Sequence, residues 1–182
     1  TYDATEDYFK ATLMNYPLGS AFNSRINLNL REDKGYTYGA SSYFSAGKTL
    51  GRFIAGASVK KEHTYDSMIE IMHELRNYQQ HGLTENEVTF MRQAISQSEA
   101  LSYETPSQKS GFLRQLLQFN LPINYSERQT EIINNITQEQ LSAIAARELA
   151  KPMQWIVVGD GQVVRAQLKK LDVEVIDLKL AN

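Results

Sequence analysis

The spacing of hydrophobic residues changes at Tyr36, and this change restricts the fold more than any other feature of the sequence. Upstream, apolar residues recur at a helical interval: Phe22, Ile26 and Leu30. Downstream, every second residue falls on one face: Tyr36, Tyr38, Ala40, Ser42 and Phe44. After a turn at Gly47-Lys48, residues 53 to 59 alternate again. The pattern predicts a helix that leads into an antiparallel β-hairpin.

Helix start and stop signals lie on both sides of the hairpin. A first helix is expected from Asp3 to about Asn15, and a second begins at Ser20 and ends near residues 31 to 34, where Gly35 supplies the stop. An amphipathic helix over residues 65 to 75 ends at His81-Gly82. A threonine followed three residues later by Glu or Gln opens three more helices, at Thr84, Thr105 and Thr137. Helices therefore dominate the sequence after the hairpin.

Two apolar segments near the end of the chain are rich in β-branched residues. Residues 153 to 160, MQWIVVGD, predict a buried strand, and residues 173 to 177, VEVID, predict a last strand. A short helix to Lys170 lies between them. This order of elements predicts an α+β fold in which helices pack on one face of a mainly antiparallel sheet. Residues 1 to 182 contain no linker-like segment and are expected to form a single domain.

The composition excludes several classes of function. Nineteen basic and 21 acidic residues give a net charge of −2, so the chain lacks the positive charge that binding to nucleic acid phosphates requires. The absence of cysteine excludes disulfides, cysteine zinc sites and thiol nucleophiles. Because the longest apolar run, WIVV, is far shorter than a membrane-spanning helix, no membrane insertion is expected.

The familiar catalytic and binding motifs are absent or incomplete. A zinc peptidase needs H-E-x-x-H or H-x-x-E-H, and neither string occurs. Residues 70 to 74, EIMHE, place two carboxylates and an imidazole at helical spacing, but a solvated polar face explains them better than a metal site does. Gly47-Lys48-Thr49 lacks the first glycine of a phosphate-binding loop, and no G-x-S-x-G elbow is present.

Arg31 and Tyr38 are the remaining candidates for a functional site. A guanidinium can bind a carbonyl or carboxylate through several N–H donors, and a phenol can donate a hydrogen bond to an oxygen that gains negative charge. Composition alone favours structural roles: Arg31 as a cation at a helix C-terminus and Tyr38 as an aromatic strand residue. The residues by themselves leave both readings open.

The segment LGSAFNSRINLNLREDKGYTYGASSYFSAG, residues 18 to 47, resembles the second half of the insulinase/pitrilysin family of zinc peptidases. It is most similar to the bacterial members related to mitochondrial processing peptidase. In that family, two α+β halves form a clamshell, and only the first half carries zinc. The resemblance extends to the later IVVGD and VEVIDL segments, and so to nearly the whole chain.

The resemblance implies a substrate-binding half that is inactive by itself. Arg31 and Tyr38 match the family's Arg/Tyr pair, so Tyr38 would contact the carbonyl oxygen or oxyanion and Arg31 would position an extended peptide substrate. This chain would hold no metal. Zinc and the water-activating glutamate would belong to an N-terminal catalytic half or to a separate zinc-bearing chain.

An alternative hypothesis is that the parent protein has lost the zinc motif, as non-catalytic members of the family have. The domain would then act as a partner or scaffold subunit. A third hypothesis, an unrelated α+β ligand-binding domain, depends only on the incomplete motifs above.

Overall fold

The computed structural model describes residues 6–47, 51–101, 104–171 and 173–178. Ten helices and strands are described in chain order: α1 Glu6–Asn15, α2 Arg25–Asn27, β1 Thr37–Ser45, β2 Arg52–Val59, α3 Thr64–His81, α4 Glu85–Leu101, α5 Pro106–Phe119, α6 Tyr125–Asn135, α7 Gln138–Glu148 and α8 Gly161–Leu168. Three short helical turns join them: Tyr16–Ser20, Leu28–Asp33 and Lys61–His63. The α+β fold predicted from the sequence is confirmed.

The hairpin of β1 and β2 contains one irregularity. Pairing is regular from Ser45 opposite Arg52 to Ala40 opposite Ala57, and Thr37 then pairs with Val59. Two residues of β1, Tyr38 and Gly39, therefore lie opposite the single residue Ser58. This extra residue is a β-bulge.

One face of the hairpin packs on the helices and forms the core. The residues of β1 that face the helices are Ala40, Ser42 and Phe44, and all three are buried. The principal core cluster extends from α1 to the residue after α7 and includes Leu13, Met14, Leu18, Ile26, Leu30, Tyr78, Leu83, Met91, Ile133 and Leu141. A smaller cluster of Met68, Val164 and Leu168 holds α8 against α3. The fold therefore depends mainly on burial of apolar surface between the helical layer and one face of the hairpin.

A polar contact joins the end of α1 to β1 within this core. The side-chain amide of Asn15 donates to the carbonyl oxygen of Ser42 at 2.7 Å, and the Ser42 hydroxyl donates to Asn15 Oδ1 at 2.6 Å. Gly19 lies against this pair so closely that a Cβ there would be 2.0 Å from Ser42 Oγ. Because buried polar groups need partners, this contact sets the distance between the Tyr16–Ser20 turn and the hairpin.

The predicted helix starts at Thr84, Thr105 and Thr137 are confirmed. At each position, the threonine hydroxyl accepts a hydrogen bond from the main chain three residues later, and the Glu or Gln at that position accepts one from the threonine N–H. The predicted stops also hold, because Gly35 and Gly82 have φ of 64° and 68°, which a residue with a Cβ rarely adopts. These local signals act within one helical turn and do not depend on packing.

The predicted start of the second helix at Ser20 is wrong. The chain remains helical through Pro17 in a wide turn in which Ala21 N–H donates to Tyr16 O at 3.0 Å, and the next helix begins only at Arg25, after Ser24. A five-residue turn accommodates a proline that cannot donate the usual hydrogen bond. The cap of this helix is therefore Ser24, four residues later than the predicted cap at Ser20.

The two strands predicted at residues 153 to 160 and 173 to 177 are also wrong. Within the described residues, β1 and β2 are the only strands, and the side chains of Ile156 and Val158 are 79% and 93% exposed. A cavity of about 1290 Å³ lies between β2 and the Pro152–Gly159 segment. A strand needs a neighbour to pair with its main-chain groups, and the segment is separated from β2 by this cavity.

Candidate functional site

Arg31 lies at the end of the wide turn Leu28–Asp33. Its guanidinium stacks over the ring of Phe22 with the carbon atom 4.4 Å from the ring centroid. Nη1 lies 3.1 Å from the Glu32 carboxylate, but it is buried and makes no hydrogen bond among the described residues. With about a third of its side chain exposed, Arg31 is oriented by an aromatic ring and retains unused donor capacity.

The turn that carries Arg31 leads directly into the hairpin. Gly35 takes up the left-handed conformation, which lets Tyr36 N–H donate to Leu30 O at 2.9 Å. The Tyr36 ring stacks on His63, with centroids 4.4 Å apart, and Lys60 N–H donates to Tyr36 O at 3.2 Å. These contacts hold the start of β1 against the segment that follows β2.

Tyr38 does not share the environment of the residues that alternate with it. The alternating pattern placed it on one face with Ala40, but its side chain is 97% exposed while Ala40 is buried. The bulge adds a residue to β1 between Thr37 and Ala40, so the regular alternation does not extend back to Tyr38. The structure therefore leaves the phenol free to contact another molecule.

Neither carboxylate of the EIMHE segment is arranged to bind a metal. Glu70 and Glu74 both accept hydrogen bonds from the side-chain amide of Asn29, at 3.0 and 2.7 Å, and Glu70 also pairs with Lys34 at 3.3 Å. His73 is exposed on the same helix. In the described part of the chain, no three His, Asp or Glu side chains converge on a site that could hold a metal ion. The segment instead attaches α3 to the turn that carries Arg31.

Sequence reasoning missed an ion pair that joins α2, the short helix before this turn, to α4. Arg25 donates to both carboxylate oxygens of Glu87 at 2.5 and 2.6 Å, and its guanidinium lies 4.6 Å from the centroid of the Tyr78 ring. Burial alone would raise the pKa of Glu87, but hydrogen bonds from Arg25 and Thr84 outweigh it and lower the pKa. The two residues are 62 positions apart, so no local pattern could have indicated the pair.

Arg31 and Tyr38 do not line the large cavity beside β2. Its floor is formed by the apolar side chains of Met68, Ile71 and Leu75 from α3. The candidate site is instead an open surface at the Thr37 end of the hairpin.

No helix in the described part of the chain has both the length and the apolar character needed to cross a bilayer.

Comparison with known proteins identifies the family. The model of the peptidase M16 inactive domain matches residues 1–95, which include the Arg31 turn and the whole hairpin. The chain belongs to the peptidase M16 inactive-domain family. A search of curated protein sequences gave no significant match.

Solved structures share the fold of this M16 inactive domain. An M16 inactive domain from Pseudomonas fluorescens is 24% identical with a TM-score of 0.73, and the match covers 79% of this chain and 34% of that one. A protease from Helicobacter pylori is 17% identical, with a TM-score of 0.68 and coverage of 80% and 35%. A protein from Bordetella pertussis Tohama I proposed to be a zinc protease is 12% identical, with a TM-score of 0.66 and coverage of 82% of each chain. This chain spans about a third of the length of the Pseudomonas fluorescens and Helicobacter pylori structures.

Proposed function

We propose that this M16 inactive domain is the C-terminal, substrate-binding half of a zinc-dependent peptidase that hydrolyses extended peptides and that the domain is inactive by itself. Membership of the M16 inactive-domain family supports the proposal, as does the similarity to proteases. The zinc ion and the glutamate that activates water would come from an N-terminal catalytic half or from a separate zinc-bearing chain. Zinc, when bound there, polarises the scissile carbonyl and lowers the pKa of its water.

The observation that carries the proposal is the almost complete exposure of Tyr38 on a strand whose neighbouring core-facing residues are buried. An exposed phenol can donate a hydrogen bond to the carbonyl oxygen of a peptide as that oxygen gains negative charge. A donor that strengthens its contact in the transition state raises kcat rather than affinity alone. Tyr38 is therefore assigned the transition-state contact.

Arg31 is assigned the role of binding the peptide main chain or a substrate carboxylate. Stacking on Phe22 restricts the guanidinium, so less conformational entropy is lost when it binds. Its buried Nη1 lies 3.1 Å from the Glu32 carboxylate but makes no hydrogen bond among the described residues, and an unsatisfied N–H favours a rearrangement that supplies a better-placed acceptor. A peptide carbonyl oxygen would be such an acceptor. The assigned role is positioning, because an arginine cannot act as a base at neutral pH.

The proposal is tested in the complete peptidase, in which this domain is combined with its zinc-bearing half. Tyr38→Phe is expected to lower kcat about 100- to 1,000-fold with unchanged zinc content, in line with the loss of one transition-state donor. Arg31→Ala is expected to raise KM about tenfold. The assay is cleavage of an unstructured fluorogenic peptide, with zinc measured by atomic absorption.

Matched controls come from the hairpin. Tyr43→Phe removes the hydroxyl of another partly exposed tyrosine on β1, and Arg52→Ala removes an exposed cation from β2. Both controls should retain full activity. Full activity in Tyr38→Phe and Arg31→Ala as well would refute the assigned roles. A complete parent protein that binds no zinc and cleaves no peptide would support the partner or scaffold alternative.

A further inference from the structure

The bulge in β1 determines on which face of the strand the Tyr38 side chain lies. In a regular strand, Tyr38 would share a face with Ala40, Ser42 and Phe44, because side chains alternate with a period of two. All three of those residues are buried against the helices, whereas Tyr38 and Gly39 are consecutive exposed residues. The extra residue opposite Ser58 therefore changes the direction of Tyr38 from the core to the surface.

The hydroxyl of Thr37 bridges this bulge. Thr37 Oγ1 lies 2.7 Å from the carbonyl oxygen of Ser58 on β2 and 2.8 Å from the carbonyl oxygen of Gly39. It also accepts a hydrogen bond from Gly39 N–H at 3.1 Å. The single hydroxyl proton is shared between the two carbonyl oxygens. One side chain thus links both ends of the bulge to the opposite strand, at the residue directly before Tyr38.

We propose that Thr37 is a positioning residue for the reaction, because its hydroxyl holds the bulge that directs the Tyr38 phenol out of the core-facing row and toward the substrate. This inference rests on the proposed function of Tyr38. A register without the bulge would return Tyr38 to the face of Ala40, which packs on the helices. Thr37 itself needs no contact with the peptide, since it acts through the direction of its neighbour.

The proposal distinguishes the hydroxyl of Thr37 from its methyl group. Thr37→Val keeps the β-branched shape that favours a strand but loses the bridge, whereas Thr37→Ser keeps the hydroxyl and loses only a methyl group. A role limited to packing would make the serine variant the weaker one. If the hydroxyl holds the bulge, Thr37→Val is the less active variant and Thr37→Ser the more active one.

A double-mutant cycle in the complete peptidase tests the coupling. Thr37→Val is expected to lower kcat about five- to tenfold with KM changed less than about twofold, and Thr37→Ser to retain at least about half of the activity. In the Tyr38→Phe background, Thr37→Val should change kcat less than about twofold, because the group that it positions is already absent. Independent, multiplicative losses of kcat in the double variant would overturn the proposal.

Amide hydrogen exchange of this chain tests the bulge without reference to catalysis. Loss of the Thr37 hydroxyl should speed exchange of the Gly39 amide roughly tenfold, the change expected when a hydrogen bond is removed. The control is Thr12→Val, which removes a threonine hydroxyl bonded to the Phe9 carbonyl oxygen in α1 and should leave Gly39 exchange unchanged. An unchanged Gly39 rate in Thr37→Val would refute the role of Thr37. Full turnover in Tyr38→Phe would instead refute the proposed function.

Discussion

Replacement of Gly19 by alanine should destabilise the domain strongly, because the added methyl group has no space. Its Cβ would lie 2.0 Å from Ser42 Oγ and 2.6 Å from Ser42 N. Separating the turn from β1 breaks the two buried hydrogen bonds between Asn15 and Ser42, at about 1 kcal/mol each. Strain from overpacking adds about 1–3 kcal/mol. The expected loss in the free energy of unfolding is therefore about 3–5 kcal/mol.

Urea denaturation followed by circular dichroism measures this loss. Gly111→Ala is the matched control, because its Cβ meets nothing within 4 Å on an exposed helix, and it should raise stability by about 1 kcal/mol. Gly19→Ala combined with Ser42→Gly should recover only part of the loss, since the main-chain nitrogen of residue 42 still obstructs the methyl group. A Gly19→Ala variant within about 1 kcal/mol of the wild type would refute the reasoning.

Three further predictions concern the supports of the candidate site. Hydrogen bonds from Arg25 and Thr84 hold the pKa of Glu87 below its ordinary value of 4.5. The stability that they provide is therefore present above pH 4.5 and is lost as the pH falls through the lowered pKa. Glu87→Gln should flatten this acid dependence, which urea titrations at successive pH values measure. Phe22→Ala removes the ring on which the Arg31 guanidinium stacks. It should raise KM of the complete peptidase about threefold while kcat stays constant, because the guanidinium is then less restricted. A change confined to kcat would contradict this. Tyr78→Phe removes a buried hydroxyl that donates to a main-chain carbonyl oxygen of α1 at 2.8 Å, and it should cost about 1–2 kcal/mol in thermal or urea unfolding.

The candidate site was only partly visible in the sequence. Arg31 and Tyr38 were selected by resemblance to a family, since a lone arginine and a lone tyrosine carry no chemical signature of their own. Alternation of residues placed Tyr38 on one face with Ala40, Ser42 and Phe44, and the bulge that separates it from them depends on how two strands pair. The Arg25–Glu87 pair and the stacking of Arg31 on Phe22 also depend on contacts between separate segments. These contacts could not be predicted from the spacing of residues along the chain.

The sequence by itself determined several helix starts and stops. Capping boxes at Thr84, Thr105 and Thr137 and the glycines at 35 and 82 act through hydrogen bonds and backbone conformations within one turn, so local residues suffice. The apolar segments at residues 153 to 160 and 173 to 177 had strand composition but form no strand in the described structure. A strand satisfies its main-chain groups only through a neighbour, and the presence and register of that neighbour are decided by the tertiary structure.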